Sequence, residues 1–264
     1  MTEVTVDRAS ASPPRQAGRA LVLHGFTAAV LLAWFVYSLL VPAYQVPGPD
    51  VVARRMLGFV TDPLQAIQLG ISLGHVVCAI AIAFVIGAVL AFVAHFVPAA
   101  RLLIDSRLTP FLNAFSGIGW LFLGILWFGI DDVTVVFAVT MILIPFAAIN
   151  LRAGLEELDR ELMELGLSLT RSPVRRLVKV VIPMLVPYAF AALRISFGVA
   201  WKVTLTAELF GGNAGVGYML NVARQEFDTE TIFSVIVFIL LFVACMETFI
   251  FRPLQRRLDR RYGA

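Results

Sequence analysis

The chain has 264 residues, 59% of them hydrophobic and 15% charged, with a formal net charge of +3 and a mean hydropathy of +0.87. That composition excludes an ordinary water-soluble domain, which carries more charge and lacks long unbroken apolar runs. In lipid only helices or a closed barrel satisfy the backbone. These runs are apolar all round for about 20 residues each, which helices require and alternating barrel strands do not show.

Residues 1–20 form a polar tail with Pro13, Pro14 and three arginines. The apolar run that follows, 21–42, lacks a small-residue cleavage site and is read as a retained first span. Residues 45–71 separate it from the second span. Pro47, Gly48 and Pro49 make a turn there, and 50–58 has the spacing of a short amphipathic helix at the interface. The second span is expected at 73–97 and the third at 108–130, up to Asp131-Asp132. The fourth, 133–151, is interrupted by Pro145, the fifth is 184–210, and the sixth is 231–251. The spans 21–252 read as a single transmembrane domain, all-α and polytopic, followed by a basic tail at 253–264. Cys78 and Cys245 both fall in apolar runs, so no disulfide framework or metal site is indicated.

With six spans the two termini, the 2–3 loop and the 4–5 loop share one side, and those segments hold 16 of the 21 Lys and Arg. The positive-inside bias then places both termini in the cytoplasm. The 4–5 loop, 152–183, is the most patterned segment. Leu155, Leu158, Leu162, Leu165 and Leu169 make one amphipathic piece, and Val174, Leu177, Val178 and Val181 make a second after a break at Thr170–Pro173. Acids (Glu156, Glu157, Asp159, Glu161, Glu164) cluster in the first piece and bases (Arg175, Arg176, Lys179) in the second. A helix–turn–helix lying on a membrane face suits docking of a soluble partner.

This loop resembles the coupling signature of bacterial ABC importer permeases, a Glu-Ala-Ala-x-x-x-Gly run followed by Ile-x-Leu-Pro. The chain reads Glu164-Leu165-Gly166-x-x-x-Thr170, then Val180-x-Ile182-Pro183. Glu164, the branched apolar Val180 and Ile182, and Pro183 match, whereas Leu165, Gly166 and Thr170 replace two alanines and a glycine. The stretches Gly124–Asp132, Leu193-Arg194-Ile195, Ala207-Glu208-Leu209-Phe210, Gly215-Val216-Gly217-Tyr218 and Arg252–Arg257 are similar to the nitrate/sulfonate/taurine importer permeases. The resemblance covers roughly residues 70–260.

It implies a type I importer permease in a bacterial inner membrane. Two cytoplasmic ABC ATPase subunits, a second permease chain (identical or different) and a periplasmic or lipid-anchored solute-binding protein would complete the assembly. No Gly-x-x-x-x-Gly-Lys-Ser/Thr phosphate loop occurs in the chain, so ATP-Mg would be bound by the partner ATPase and no cofactor by this chain. Nothing in the sequence points to nucleic acid. The resemblance assigns ATPase coupling to Glu164, Leu165, Gly166, Thr170, Arg175, Val180, Ile182 and Pro183. Arg175, Arg176 and Lys179 would meet acidic ATPase residues or, equally well, anionic membrane lipid.

Arg194, Lys202 and Glu208 lie inside the fifth span, where a charge costs roughly 2.5–3.5 kcal/mol and turns to a cavity or a partner. Successive steps of about 80° and 240° around a 3.6-residue helix keep them off one stripe. Lys202 or Arg194 could attract a small anion such as a sulfonate, carboxylate or nitrate, or both could pair with Glu208 or Glu247 as structural bridges. Lys202, mid-span, is the better substrate candidate. His75 and the tryptophans Trp120, Trp127 and Trp201 read as packing or interfacial residues, and 211–217 as a flexible external segment. Two other classes compete. An ion-coupled secondary carrier would need inverted repeats, and a membrane enzyme would need convergent His, Asp or Cys groups that His24, His75 and His95 do not supply.

Overall fold

A computed structural model describes residues 15–157, 172, 175 and 177–262. Every regular element among them is helical: α1 (Arg15–Leu40), α2 (Pro49–Thr61), α3 (Pro63–Phe96), α4 (Pro98–Leu103), α5 (Thr109–Ala114), α6 (Gly117–Phe128), α7 (Asp132–Glu156), α8 (Ile182–Gly211), α9 (Val216–Gln225), α10 (Thr229–Met246) and α11 (Arg252–Tyr262). Single π-helical turns at Ile104–Leu108, Leu177–Val181 and Glu247–Phe251 join some of them.

Four stretches are long and apolar enough to cross a bilayer: Pro63–Phe96, Asp132–Glu156, Val178–Gly211 and Thr229–Leu258. A fifth candidate is the bent pair Pro98–Ala114 and Gly117–Phe128, and the first apolar run lies within α1, whose stretch Gly25–Leu40 is apolar. The third expected span is therefore not one rod. It breaks at Phe115–Ser116, where two residues turn to extended backbone and the halves meet at 83°. Glycine permits the close return: a Cβ on Gly119 would stand 2.7 Å from the Phe115 ring, and one on Gly117 would stand 2.8 Å from Ile142. The expected interruption of the fourth span does not occur, since α7 runs through Pro145. A proline inside a helix removes one backbone bond, and neighbouring helices hold the rod together around it.

The second span begins ten residues earlier than the apolar run suggested. Pro63 opens α3 at its first turn, and the Asp62 carboxylate accepts from the Leu64 N–H at 3.0 Å. Those additional turns carry Gln68, Ser72 and His75 into the structure.

Lipid is as apolar as leucine, so helices associate through close packing of small residues rather than through hydrophobic burial. On α3 the residues Ala79, Ala83, Gly87 and Ala91 recur every fourth position, and all are buried. They face α7, where a Cβ on Gly87 would lie 2.6 Å from Ala147 Cβ. The central α7 also packs on α6 and α8, with Val135, Val139, Leu143, Trp120 and Trp201 in one core cluster. By contrast α1 is peripheral and keeps Phe26, Leu32, Leu39 and Leu40 exposed, as a lipid-facing helix does.

Helix directions separate two ends. Residues 62, 132, 211 and 228 gather at one, hereafter the far end. Residues 96–105, 156 and 182 lie at the other, hereafter the loop end, because the segment 158–171 leaves from it.

Candidate functional site

The three ionisable groups of α8 have different surroundings. Arg194, nearest the loop end, forms an ion pair with Glu247 and a hydrogen bond to Gln255, its Nε donating to Glu247 Oε2 at 3.1 Å. The pair fastens α8 to the end of α10. Of the partners considered from sequence, Glu247 is the one Arg194 takes.

Glu208 is 0% exposed and fully engaged. Its Oε2 accepts from Ser72 Oγ at 2.8 Å and from the Gly217 N–H at 2.8 Å, while Oε1 lies 2.8 Å from His75 Nδ1. The other ring nitrogen of His75 is 3.2 Å from Asp132 Oδ1, so one imidazole bridges two carboxylates. Around the start of α9 each successive amide has a side-chain acceptor. Gly215 N–H donates to Gln68 Oε1 at 2.6 Å, Val216 N–H to Ser72 Oγ at 2.8 Å, and Gly217 N–H to Glu208. A helix start leaves these donors without backbone partners, and α3 and α8 supply the acceptors.

The glycines here are dictated by the carboxylate. Gly215 has φ +97°, and a Cβ on it would sit 2.4 Å from Glu208 Cδ; on Gly217 the clash would be with Leu205 O, also at 2.4 Å. The segment 211–217, read from sequence as a flexible external turn, is instead packed onto a buried charge. His75, expected as a packing or interfacial residue, is buried and lies between Glu208 and Asp132.

Lys202 alone of the three is exposed, and among the described residues no carboxylate pairs with it. It borders a cavity of about 300 Å³ together with Ser116, Gly117, Ile118, Ile142 and Thr206. This cavity lies at the break of the bent pair, so the free N-terminus of α6 opens onto the same space as the ammonium. Ser116 makes no side-chain cap there. The first amides of α6 thus lack intrahelical acceptors, and the helix dipole adds partial positive charge. A cation beside a broken-helix N-terminus at mid-span is an arrangement that attracts an anion.

Four coupling residues expected from sequence, Glu164, Leu165, Gly166 and Thr170, lie outside the described residues. Of the others, Arg175 is exposed and its N–H donates to Ser172 Oγ at 3.4 Å. Val180 is half-buried in the π-turn Leu177–Val181, Ile182 is exposed, and Pro183 sits in the first turn of α8.

The family described as "Binding-protein-dependent transport system inner membrane component" matches residues 83–263. This chain belongs to that family. It is a transmembrane ABC transporter permease, and its homologues include permeases named for sulfonate, taurine and nitrate transport. The taurine transport system permease protein of Escherichia coli is 26% identical over 257 residues, covering 93% of this chain and 91% of that one. A putative aliphatic sulfonates transport permease protein of Bacillus subtilis is 32% identical over 134 residues, 51% of this chain and about half (48%) of the relative. The nitrate import permease protein of Synechococcus elongatus is 24% identical, covering 72% and 71%. Among solved structures, an inward-facing MetNI methionine ABC transporter matches with TM-score 0.64 and 16% identity, over 74% of this chain and 96% of that chain. An amino acid ABC transporter matches with TM-score 0.60 and 21% identity, over 78% and 98%. At those identities the structures establish the shared fold.

Proposed function

We propose that this permease is half of the membrane path of an ATP-driven importer, and that it carries a small anion of the sulfonate, taurine, nitrate or carboxylate kind. The observation that carries the anion is the Lys202 cavity. It joins an ammonium that has no carboxylate partner among the described residues to the open N-terminus of α6, whereas Arg194 and Glu208 are engaged elsewhere. The relatives named for taurine, aliphatic sulfonates and nitrate transport ligands that share oxyanion chemistry. An ammonium is a point-charge partner for such a group.

The loop end faces the cytoplasm in this reading, and residues 152–183 dock on a separate ABC ATPase. ATP binding and hydrolysis there drive alternating access, and a solute-binding protein delivers the anion at the far end. Two permease chains and two ATPases make the assembly. Family membership supports the partners, and the loop's match at Glu164, Val180, Ile182 and Pro183 supports the docking site.

The test is purification of the tagged permease from its native membranes in mild detergent, with every bound protein identified. Recovery of an ABC ATPase at one copy per permease is the expected result. A permease recovered alone, which also fails to stimulate any ATPase on reconstitution, would overturn the importer reading.

A further inference from the structure

At the loop end the charges close into a ring. Asp105 Oδ1 lies 2.6 Å from Arg152 Nη1 and its Oδ2 lies 3.8 Å from Arg101 Nε. Glu156 Oε1 lies 3.0 Å from Arg152 Nη2 and 3.4 Å from Arg101 Nη2, with Arg152 Nε also donating to it at 3.2 Å. Each carboxylate therefore touches both guanidiniums. Arg152 is the best shielded member, its side chain 13% exposed, while Asp105, Glu156 and Arg101 are 37%, 51% and 61% exposed.

What the ring connects matters more than its strength, because exposed ion pairs contribute little to stability. Glu156 is the last residue of α7 and Glu157 caps it, directly before the segment 158–171. Asp105 belongs to the π-turn Ile104–Leu108, which continues without a break into α5. The short α5, anchored by buried Leu112, ends at the Phe115–Ser116 break, and Ser116 and Gly117 border the Lys202 cavity. One salt-bridged step thus separates the root of the coupling loop from an arm that ends at the proposed anion site.

Two further features fit a moving joint. A second cavity of about 430 Å³ lies beside the ring, bordered by Ala91, Ala94, Asp105, Asn113, Arg152 and Glu156, which leaves α5 room to shift. The other element bearing the site, α8, also enters from the loop through a π-turn, Leu177–Val181. Such turns are frequent at functional sites.

We propose that the Arg101–Asp105–Arg152–Glu156 ring is the joint that transmits movement of the coupling loop to the Lys202 cavity, with Asp105 and Arg152 as its positioning residues. The proposal rests on the importer reading. The π-turn and α5 act as the lever, and the ring exchanges partners as the loop root tilts.

The test uses the full importer in liposomes, comparing wild type with Asp105→Asn and Asp105→Glu. Asp105→Asn keeps shape and leaves the Arg152–Glu156 contact within α7 intact, so it weakens the shorter of the two contacts between α7 and the arm and spares the longer one, Arg101–Glu156. Solute taken up per ATP hydrolysed should fall by about three- to thirtyfold, with the assembled complex and its hydrolysis retained, and Asp105→Glu should restore the ratio. An unchanged ratio in Asp105→Asn would overturn the proposal. So would loss of the assembled complex, which would make the ring a structural clasp. A wild-type complex without solute-dependent hydrolysis would instead bring down the importer reading, a failure recognisable because it precedes any substitution.

Discussion

The two ends of the bundle hold similar charged side chains in opposite ways. At the far end Glu208 is 0% exposed, its oxygens are bound by Ser72, Gly217 and His75, and glycines fit against the carboxylate so closely that a methyl group would clash. At the loop end Asp105, Glu156 and Arg101 stay half-solvated around Arg152, beside an open cavity. A buried charge that loses its partner is costly, whereas a solvated one exchanges water for a new partner at little cost. The far end is therefore built to hold α3, α7, α8 and α9 as one body, and the loop end to let an elbow move on it.

The largest effect that would break this contrast lies at Glu208. Glu208→Ala strands the Ser72 hydroxyl, the Gly217 amide and His75 in a buried site, and should cost about 3–5 kcal/mol, read as a lower unfolding midpoint in detergent. A midpoint within error of wild type would mean that the clamp does not hold the far end. Gly215→Ala should follow, at about 1–3 kcal/mol from the backbone at φ +97° alone, more if the Glu208 contact does not yield.

A smaller effect is expected at Asp228. Its carboxylate caps α10 by accepting from the Thr231 N–H at 3.0 Å and hydroxyl at 2.7 Å, and Arg55 of α2 lies 3.2 Å away. Burial pushes this carboxyl up, but the two Thr231 hydrogen bonds and the Arg55 charge outweigh it and hold the group below the usual range. With its folded value below the unfolded one, the stabilisation is fully present above about pH 3.9. It is lost as pH falls through the depressed value. Asp228→Ala should thus cost about 1 kcal/mol, constant from neutral to mildly acidic pH and shrinking only in strong acid. The difference between variant and wild type, followed by thermal melts across pH, checks the sign.

The smallest effect on stability is predicted for the ring. Arg101→Ala should leave the unfolding midpoint unchanged, since its contacts are exposed and long. A large destabilisation there would erase the distinction between the two ends. For Glu164, which the sequence match assigns to the coupling signature, Glu164→Ala should leave insertion intact and separate ATP hydrolysis from uptake, as transport assays with parallel hydrolysis measurements would show.

Much of this arrangement could be read from the chain alone. Apolar runs located the four helices long enough to cross a bilayer, because lipid leaves the backbone no other solution, and the angular offsets of Arg194, Lys202 and Glu208 kept them off one stripe. The break in the third span was hidden, since Gly117 and Gly119 sit in a run apolar enough to pass for continuous helix. The partners of Glu208 were hidden too: Ser72 and His75 are 136 and 133 residues away, and only the fold brings α3 beside α8. A signal was nevertheless present in Gly215 and Gly217, whose spacing after Glu208 reflects the close approach that both must permit. The every-fourth-residue pattern of Ala79, Ala83, Gly87 and Ala91 is likewise a signal of close helix packing, but only the fold shows that α7 is the partner.

The most direct test of the central claim is uptake of labelled taurine, methanesulfonate and nitrate into liposomes bearing the complete importer with wild-type, Lys202→Arg or Lys202→Met permease. The account predicts uptake of at least one of these anions by wild type. Lys202→Arg should retain most of it, and Lys202→Met should lose about ten- to hundredfold as a charged contact disappears, with the complex still assembled. Equal uptake by Lys202→Met, or a wild-type complex that transports none of the three, would contradict it.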